Sequence, residues 1–402
     1  MKLAIVSDMH LGYERFYDDA YAQACAALDQ AAKVSDAILI PGDIFDMRNP
    51  KPEVLALGIN LFRDLSRREW KARVAEFEGP KERFTSVPII AIPGTHERKA
   101  EGVHNPVDLL GLAGLIVNAT DSNIILEKGI EKVHIFSLGG IAEEKVADTL
   151  ARLDPKPVEN MFNIFMMHQS IYELLPFSDT FLEYEELPKG FDLYIDGHIH
   201  NKVEAKVHGK PFLIPGSTVL TQLKDGEQEQ KGFFVFDTEA RTYEHVKISS
   251  RNFVAIRIDA ENSEPSVISE KIEKEIEKVV KSSPKKTVVR VIVEGELADG
   301  YKLSDLDIMP IERKYREAAF LDISKSELVS KAEEDAASDL RSSTMNAMSV
   351  KDYGMAIFLD KLNKLGYSLN TTPTELFEML SSDDKKENVI NSAIERLLSP
   401  QK

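Results

Sequence analysis

Five short apolar runs in this chain are each followed, within three residues, by a histidine or an aspartate. This repeated arrangement constrains the fold most. The runs cover residues 2–7, 37–41, 89–93, 162–167 and 191–196. Each run is short, rich in β-forming residues and bounded by turn residues, which is typical of strands buried in a sheet. The residues that follow these runs are therefore expected at the carboxyl ends of strands, where side chains distant in sequence can converge.

The five blocks contain five of the nine histidines in the chain and two aspartates. They are Asp8-Met9-His10, Gly42-Asp43, Gly94-Thr95-His96-Glu97, His168 and Gly197-His198-Ile199-His200. Mixed imidazole and carboxylate ligands suit Mn, Fe or Zn, whereas Mg and Ca favour oxygen ligands. A pair of such ions about 3.5–4 Å apart can bind the attacking and leaving oxygens of a phosphodiester. The pattern therefore predicts a two-metal phosphoesterase site.

Spacing within two of the blocks suggests how ligands share the ions. Asp8 and His10 are two residues apart, so on an extended segment both side chains point to one side and chelate one ion. His198 and His200 have the same spacing and could serve one ion each if the turn opens. Taken singly, each block also fits an ordinary structural explanation, such as a turn at Gly42-Asp43 or a hydrogen-bonded core histidine at His168.

The order of the blocks resembles the calcineurin-like metallophosphoesterases. Four segments narrow the resemblance to the archaeal nucleases of DNA double-strand-break repair, the Mre-eleven / SbcD family: residues 7–14, 42–46, 167–169 and 214–217. This resemblance covers residues 1 to about 330, with strong motifs only up to Ser217. It implies an α/β fold, namely a metallophosphoesterase β-sandwich flanked by helices, with a small α/β cap domain and a C-terminal helical tail.

The resemblance also implies a role for each site residue. One Mn²⁺ ion would be held by Asp8, His10, His200 and a bridging Asp43. The second Mn²⁺ ion would be held by Asp43, Thr95, His168 and His198. His96 would contact the scissile phosphate and act as a general acid, a role that an imidazole with a near-neutral pKa can fill.

Thr95 departs from the family pattern, which has asparagine at this position. A threonine hydroxyl is a poorer neutral ligand than an amide oxygen, and water can replace it. We expect weaker affinity at the second ion and retained activity.

Length and composition indicate several domains and no membrane segment. A chain of 402 residues with 43% hydrophobic content is expected to fold as two or three domains. It contains no run of 18 apolar residues and its N-terminus lacks a signal-peptide pattern. These features predict a cytoplasmic protein without membrane association.

The net charge of −17 opposes DNA binding at first sight, because DNA-binding surfaces are usually basic. Within residues 1–250, the only fifty-residue block with a net positive charge is 51–100. That block supplies the candidate DNA contacts Arg67, Arg68, Trp70, Lys71, Arg73 and Arg98. The alternative interpretation is a solvated helix face with Trp70 packed inward.

Hydrophobic patterning divides the chain into four parts. Residues 1–250 form the metallophosphoesterase domain, with helical patterns near 17–33 and 52–67, and residues 251–330 alternate strand and helix as a small separate domain. The resemblance implies that this α/β domain is a cap that closes over DNA. Residues 331–348 are predicted to be a linker. Residues 349–402 contain three short amphipathic stretches that predict a helical tail.

The sequence contains more apolar surface than one chain can cover, and this excess predicts two protein partners. The tail is expected to dock on an SbcC/Rad-fifty-type ATPase, which the resemblance implies; the alternative is docking on the cap of the same chain. Apolar side chains in 20–32 and 54–62 exceed the needs of one helix face, and the resembling nucleases pair there. A homodimer is therefore expected.

The sequence as a whole predicts a Mn-dependent DNA exonuclease and endonuclease that processes double-strand break ends with the ATPase partner. Two alternatives remain open. One is a small-molecule phosphodiesterase or nucleotidase on the same core, which would need no docking tail. The other is a repair scaffold of low activity because of Thr95.

Overall fold

The computed structural model describes residues 1–79, 85–98, 102–175, 182–223, 227–283 and 286–333. Its strands are β1 (Lys2–Ile5), β2 (Ala37–Ile40), β3 (Arg73–Glu78), β4 (Ile89–Ala91), β5 (Val117–Asn118), β6 (Ser122–Lys128), β7 (Glu131–Leu138), β8 (Phe162–Met167), β9 (Leu193–Asp196), β10 (Val203–Val207), β11 (Lys210–Ile214), β12 (Gly232–Asp237), β13 (Thr242–Lys247), β14 (Phe253–Asp259), β15 (Thr287–Glu296) and β16 (Ala319–Val329). Its helices are α1 (Tyr17–Val34), α2 (Pro52–Ser66), α3 (Pro106–Leu112), α4 (Val146–Leu153), α5 (Pro265–Ser282) and α6 (Met309–Tyr315).

Two mixed sheets form the centre of the chain. The first has the strand order β13-β12-β1-β2-β4-β5, and the second has the order β10-β11-β9-β8-β7-β6-β3. Within the first sheet β1, β2, β4 and β5 are parallel, and within the second β7, β8, β9 and β11 are parallel. In the second sheet the parallel strands are central, and in the first they run from the middle of the sheet to the edge strand β5. Their nearly continuous apolar sequences agree with burial on both faces.

Side chains from the two sheets interdigitate in one core. Leu39 and Ile90 of the first sheet pack in the same buried cluster as Ile135 and Ile164 of the second. The other face of the first sheet packs against α1 and α2, where Leu28 and Phe62 belong to a second cluster. The structure is therefore the predicted α/β sandwich flanked by helices.

Local sequence explains the two long helices beside the first sheet. Pro52 begins α2 at a position where the missing N–H costs no hydrogen bond. In α1 the buried positions include Ala20, Ala24, Ala27 and Ala31, which recur every three or four residues. Small side chains on this face let the helix approach the sheet closely. The bounds of both helices match the predicted segments within one residue.

The three strands β14, β15 and β16 form a third sheet in that order. By contacts, the chain divides into two compact units. The first contains Met1–Ile256, Glu275–Val291 and Glu312–Asp322, and the second contains Arg257–Lys274, Ile292–Ile311 and the described residues from Ile323 onward. The domain limits at 250 and 330 stay a prediction.

The predicted linker at 331–348, apart from its first three residues, and the predicted tail at 349–402 lie outside the described residues. Among the helices of the described ranges, none has the length and apolar character needed to cross a membrane.

Candidate metal centre

The loops after β1, β2, β4, β8 and β9 meet at one edge of the sandwich. The backbone N–H of His198 in the second sheet's loop donates to Asp8 Oδ1 at 3.2 Å, which joins it to the first sheet. A Cβ atom on Gly197 would lie 2.1 Å from the carbonyl oxygen of Pro41, so only glycine permits this approach. The sequence blocks thus converge as their positions after strands predicted.

The backbone at this edge is strained. Asp8, His10, Asp43 and His198 all have positive φ angles, of 51°, 47°, 50° and 69°. Residues other than glycine rarely adopt this conformation, and it costs free energy that the surrounding structure must supply. The spacing of Asp8 and His10 suggested an extended segment. Their positive φ angles show that this expectation was wrong. The left-handed turns bring their side chains together instead.

Asp8, His10 and His200 form the first group of ligating atoms. The Nε2 atoms of His10 and His200 are 3.0 Å apart, and they lie 3.9 and 3.8 Å from Asp8 Oδ1. Asp8 and His10 are almost fully buried. Two imidazole nitrogens and one carboxylate oxygen thus face one another in a space the size of one ion.

Asp8, Asp43 and His168 form the second group. Nε2 of His168 lies 3.3 Å from Asp43 Oδ2, and both side chains are buried. His198 lies beside this group, with its ring 5.4 Å from that of His168, and Thr95 Oγ1 is 3.4 Å from His198 Nδ1. All seven residues predicted to hold metal therefore gather in one region, and Asp8 belongs to both groups.

Hydrogen bonds on the outer ring nitrogens orient three of the histidines. Nδ1 of His10 contacts Asp46 Oδ1 at 3.1 Å, Nδ1 of His168 contacts the Pro41 carbonyl at 2.7 Å, and Nδ1 of His200 contacts Thr221 Oγ1 at 2.5 Å. A metal-ligating histidine normally donates its second N–H in this way, which leaves the other nitrogen free for the ion. Nε2 of His168 is buried and makes no hydrogen bond among the described residues, although it lies 3.3 Å from Asp43 Oδ2. The donor set therefore fits divalent metal ions.

Electrostatics also favour cations at this edge. Burial raises the pKa of Asp8 to about 6, because the charged form is poorly solvated. Burial lowers the pKa of His198 to about 4 and holds the pKa of His200 well below its usual range. Both imidazoles are therefore neutral at pH 7, with lone pairs available. Burial would lower the pKa of His168, but the Asp43 and Asp8 carboxylates raise it to about 10, so this imidazole must lose a proton to bind a cation.

His96 lies at the exposed side of the centre. Its backbone N–H donates to Asp43 Oδ1 at 2.9 Å, and its side chain is 43% exposed. Nδ1 contacts the backbone carbonyl oxygen of Asp46 at 2.8 Å, so this nitrogen carries a proton. Nε2 is left as the nitrogen that can exchange a proton with a substrate.

Three residues near the centre were not predicted as site residues. Asp46 orients His10 and His96, Thr221 orients His200, and Glu97 accepts the backbone N–H groups of Phe45 and Gly94 at 2.8 and 2.9 Å. Burial raises the pKa of Glu97 to about 8. Asp46 lies in the motif at 42–46 and Glu97 in the block at 94–97, so both could have been found from the sequence. No local sequence pattern marks Thr221 as a site residue.

Two of the predicted DNA contacts have partners outside the site. Trp70 packs against the cluster beneath the first sheet and donates from Nε1 to Leu65 O at 3.2 Å, while Arg68 pairs with Asp29. Arg98 follows His96 by two residues in the sequence. DNA contact by these residues stays a prediction.

Comparison with known proteins agrees with this geometry. Residues 1–202, half of the chain, match the family model described as calcineurin-like phosphoesterase. The chain belongs to this family. Calcineurin-like phosphoesterases use a dinuclear metal site, and the groups at the sheet edge, the third of which consists of His10, Asp46 and His96, offer candidate ligands for it. The protein is therefore a metal-dependent phosphoesterase.

Relatives within the family carry repair names. The DNA double-strand break repair protein Mre11 of Saccharolobus solfataricus is 25% identical over 305 residues, which cover 72% of this chain and 74% of that protein. Mre11 of Sulfolobus acidocaldarius is 24% identical, and the match covers 96% of both chains. The double-strand break repair protein MRE11 of Encephalitozoon cuniculi is 27% identical, with 71% of this chain and 54% of that protein covered.

The first prediction concerns the bridging ligand of this phosphoesterase. Asp43→Ala should lose both ions, because the Asp43 carboxylate is expected to bind both of them. Elemental analysis after Mn²⁺ loading measures the loss, with the exposed carboxylate variant Asp18→Ala as the control that keeps both ions. Loss of one ion alone would show that Asp43 does not bridge, and full occupancy would remove it from the centre.

Proposed function

We propose that this phosphoesterase is a Mn-dependent DNA nuclease, acting as exonuclease and endonuclease on double-strand break ends. The observation that carries the proposal is the convergence of seven candidate ligands with His96 at one sheet edge, in a chain whose relatives are double-strand break repair proteins. Mn²⁺ is favoured over Mg²⁺ because four of the seven candidate ligands are imidazoles.

In this proposal one ion is held by Asp8, His10, Asp43 and His200. The other is held by Asp43, Thr95, His168 and His198. When bound, two such ions activate a water molecule and bind the attacking and leaving oxygens of a phosphodiester.

His96 supplies the proton for the leaving oxygen in this proposal. The Asp46 carbonyl accepts the N–H at Nδ1 of His96, so the proton given to the leaving oxygen must be a second one, carried on Nε2 by the protonated ring. The backbone N–H of His96 also binds Asp43, so the acid and the proposed bridging carboxylate are held in one geometry. Its partial exposure suits a residue that must meet an entering substrate.

The second prediction tests this function directly. Purified protein with Mn²⁺ should cut double-stranded and single-stranded DNA, and His96→Ala should reduce turnover by about 10²-fold or more, the usual contribution of a general acid. Metal content of the variant should be unchanged, because the proposed ligands of the two ions do not include His96, although its ring lies 4.9 Å from that of His10. His104→Ala, which changes an exposed histidine outside the centre, serves as the matched control.

Three substrates separate the proposal from its alternatives. Hydrolysis of bis-p-nitrophenyl phosphate without cleavage of DNA would identify a small-molecule phosphodiesterase. Metal binding without turnover on any substrate would indicate a repair scaffold of low activity. Loss of metal together with activity in His96→Ala would make His96 a ligand and remove the general-acid role.

We also propose an SbcC/Rad-fifty-type ATPase as partner, bound by residues 349–402. The third prediction is that deletion of this segment abolishes co-sedimentation with the ATPase and the ATP-dependent stimulation of cleavage. Basal Mn²⁺-dependent hydrolysis should remain, since all seven candidate ligands precede residue 201. Unchanged affinity of the truncated protein for the ATPase would contradict the proposal and favour docking of the tail within its own chain.

A homodimer is the second proposed assembly. Ile59 of α2 and Leu109 and Leu112 of α3 are 36%, 40% and 46% exposed, and these two helices contact each other. Exposed apolar side chains on neighbouring helices favour association with a second copy. The fourth prediction is that sedimentation velocity detects a dimer, which Leu112→Glu converts to monomer. A wild-type protein that is monomeric at high concentration would contradict this assembly.

A further inference from the structure

A buried ion pair lies next to the backbone of His200. Nζ of Lys231 is 3.0 Å from Glu227 Oε1, and the two side chains are 6% and 1% exposed. Removing two charges from water is costly, so such a pair persists when further hydrogen bonds satisfy its remaining donors and acceptors. The surroundings of this pair therefore indicate which part of the structure it supports.

Lys231 is fully satisfied by three acceptors. Besides Glu227, its ammonium group donates to the His200 carbonyl at 3.1 Å and to Ser217 Oγ at 2.9 Å. An ammonium group has three donors, and each has a partner here. Lys231 thus holds the main chain of a proposed metal ligand from within the protein.

Glu227 closes the loop that carries Thr221. Its Oε2 atom accepts the backbone N–H groups of Gln222 and Leu223 at 2.8 and 2.6 Å, and Oε1 accepts that of Thr221 at 3.1 Å. Burial alone would raise the pKa of Glu227, but Lys231 and these N–H groups hold the pKa below its usual value. Glu227 is therefore an ionised carboxylate that can only accept hydrogen bonds.

That charge decides the direction of the hydrogen bonds at Thr221. The hydroxyl oxygen lies 3.1 Å from Glu227 Oε1 and 2.5 Å from Nδ1 of His200. The hydroxyl group has one proton, and the carboxylate has none, so the proton points to Glu227. A lone pair of the hydroxyl then accepts the N–H at Nδ1 of His200. The lone pair at Nε2 faces His10 and Asp8.

We propose that Thr221 and the buried pair of Glu227 and Lys231 form a relay that positions His200 as a metal ligand and sets the affinity of the ion that His200 binds. The inference rests on the two-metal centre proposed above. It distinguishes the two ions, because Nδ1 of His168 at the second group is held by the Pro41 carbonyl, not by a side chain. A side-chain substitution can therefore weaken one ion without changing the other.

The fifth prediction is that Thr221→Val weakens one of the two Mn²⁺ ions by about 10- to 100-fold, the usual effect of removing an outer partner of a ligating histidine. Isothermal titration of the metal-free full-length protein with Mn²⁺ resolves the two affinities. The other ion should bind as in the wild type. Thr221→Ser, which keeps the hydroxyl, should restore the weakened affinity to within a few-fold of the wild type.

Thr218→Val is the matched control. Thr218 is buried three residues from Thr221, and its hydroxyl has no hydrogen-bond partner among the described residues. This variant loses the same atom from the same loop, so both ions should keep their wild-type affinities. Thermal melting of each variant separates a change in metal affinity from a loss of folding.

A second variant keeps the relay testable if Thr221→Val does not fold. Glu227→Gln combined with Lys231→Met removes both charges together and avoids an unpaired buried ion. It should weaken the same ion, because Thr221 loses its charged acceptor.

Three results would contradict the proposed relay. Wild-type affinity of both ions in folded Thr221→Val overturns it, and so does an equal loss of both ions, which would indicate a general structural effect. Failure of Thr221→Ser to restore the affinity also overturns it. A wild-type protein that binds fewer than two ions would contradict the proposed centre instead, before any variant is compared.

Discussion

The structure depends on one constraint: several carboxylates and imidazoles are buried together at the edge of a two-sheet core. Asp8, Asp43 and His168 have almost no contact with solvent, although charged groups in such places are normally costly. The left-handed backbone at Asp8 and Asp43 adds further strain. Packing in the surrounding sandwich offsets this unfavourable free energy, and divalent cations would stabilise the buried charges. The cluster is therefore a region where the fold is less stable than it could be, because it provides a metal site.

The sandwich can carry this cost because its two sheets hold the site loops from both sides. Parallel strands of each sheet end at the same edge, and glycines allow the loops to approach. A Cβ on Gly42 would lie 2.2 Å from Nδ1 of His168, and one on Gly94 would lie 2.2 Å from Asp43 Oδ1. Glu97 joins two of the loops by accepting N–H groups from each. Backbone proximity and buried hydrogen bonds therefore fix the distances between ligands.

The two groups of candidate ligands differ in the hydrogen-bond partners of their histidine Nδ1 atoms. His168 is oriented by a main-chain carbonyl, whereas His10 is oriented by Asp46 and His200 by Thr221. Main-chain partners are insensitive to substitution, and side-chain partners can be changed one residue at a time. The outer partner of His200 can thus be changed by a side-chain substitution, whereas that of His168 cannot.

The sequence by itself indicated the strands that end at the site and the principal ligand candidates, because apolar runs followed by His and Asp are local patterns. The fold class followed from the family resemblance that these patterns carry. The sequence misjudged the backbone at Asp8 and His10, whose left-handed turns depend on neighbouring loops. Asp46 and Thr221 acquire their roles only in the tertiary structure, since each contacts a histidine from another segment, and Thr221 lies 21 residues from His200. Pairing between distant segments depends on how the two sheets pack, and no local pattern encodes it.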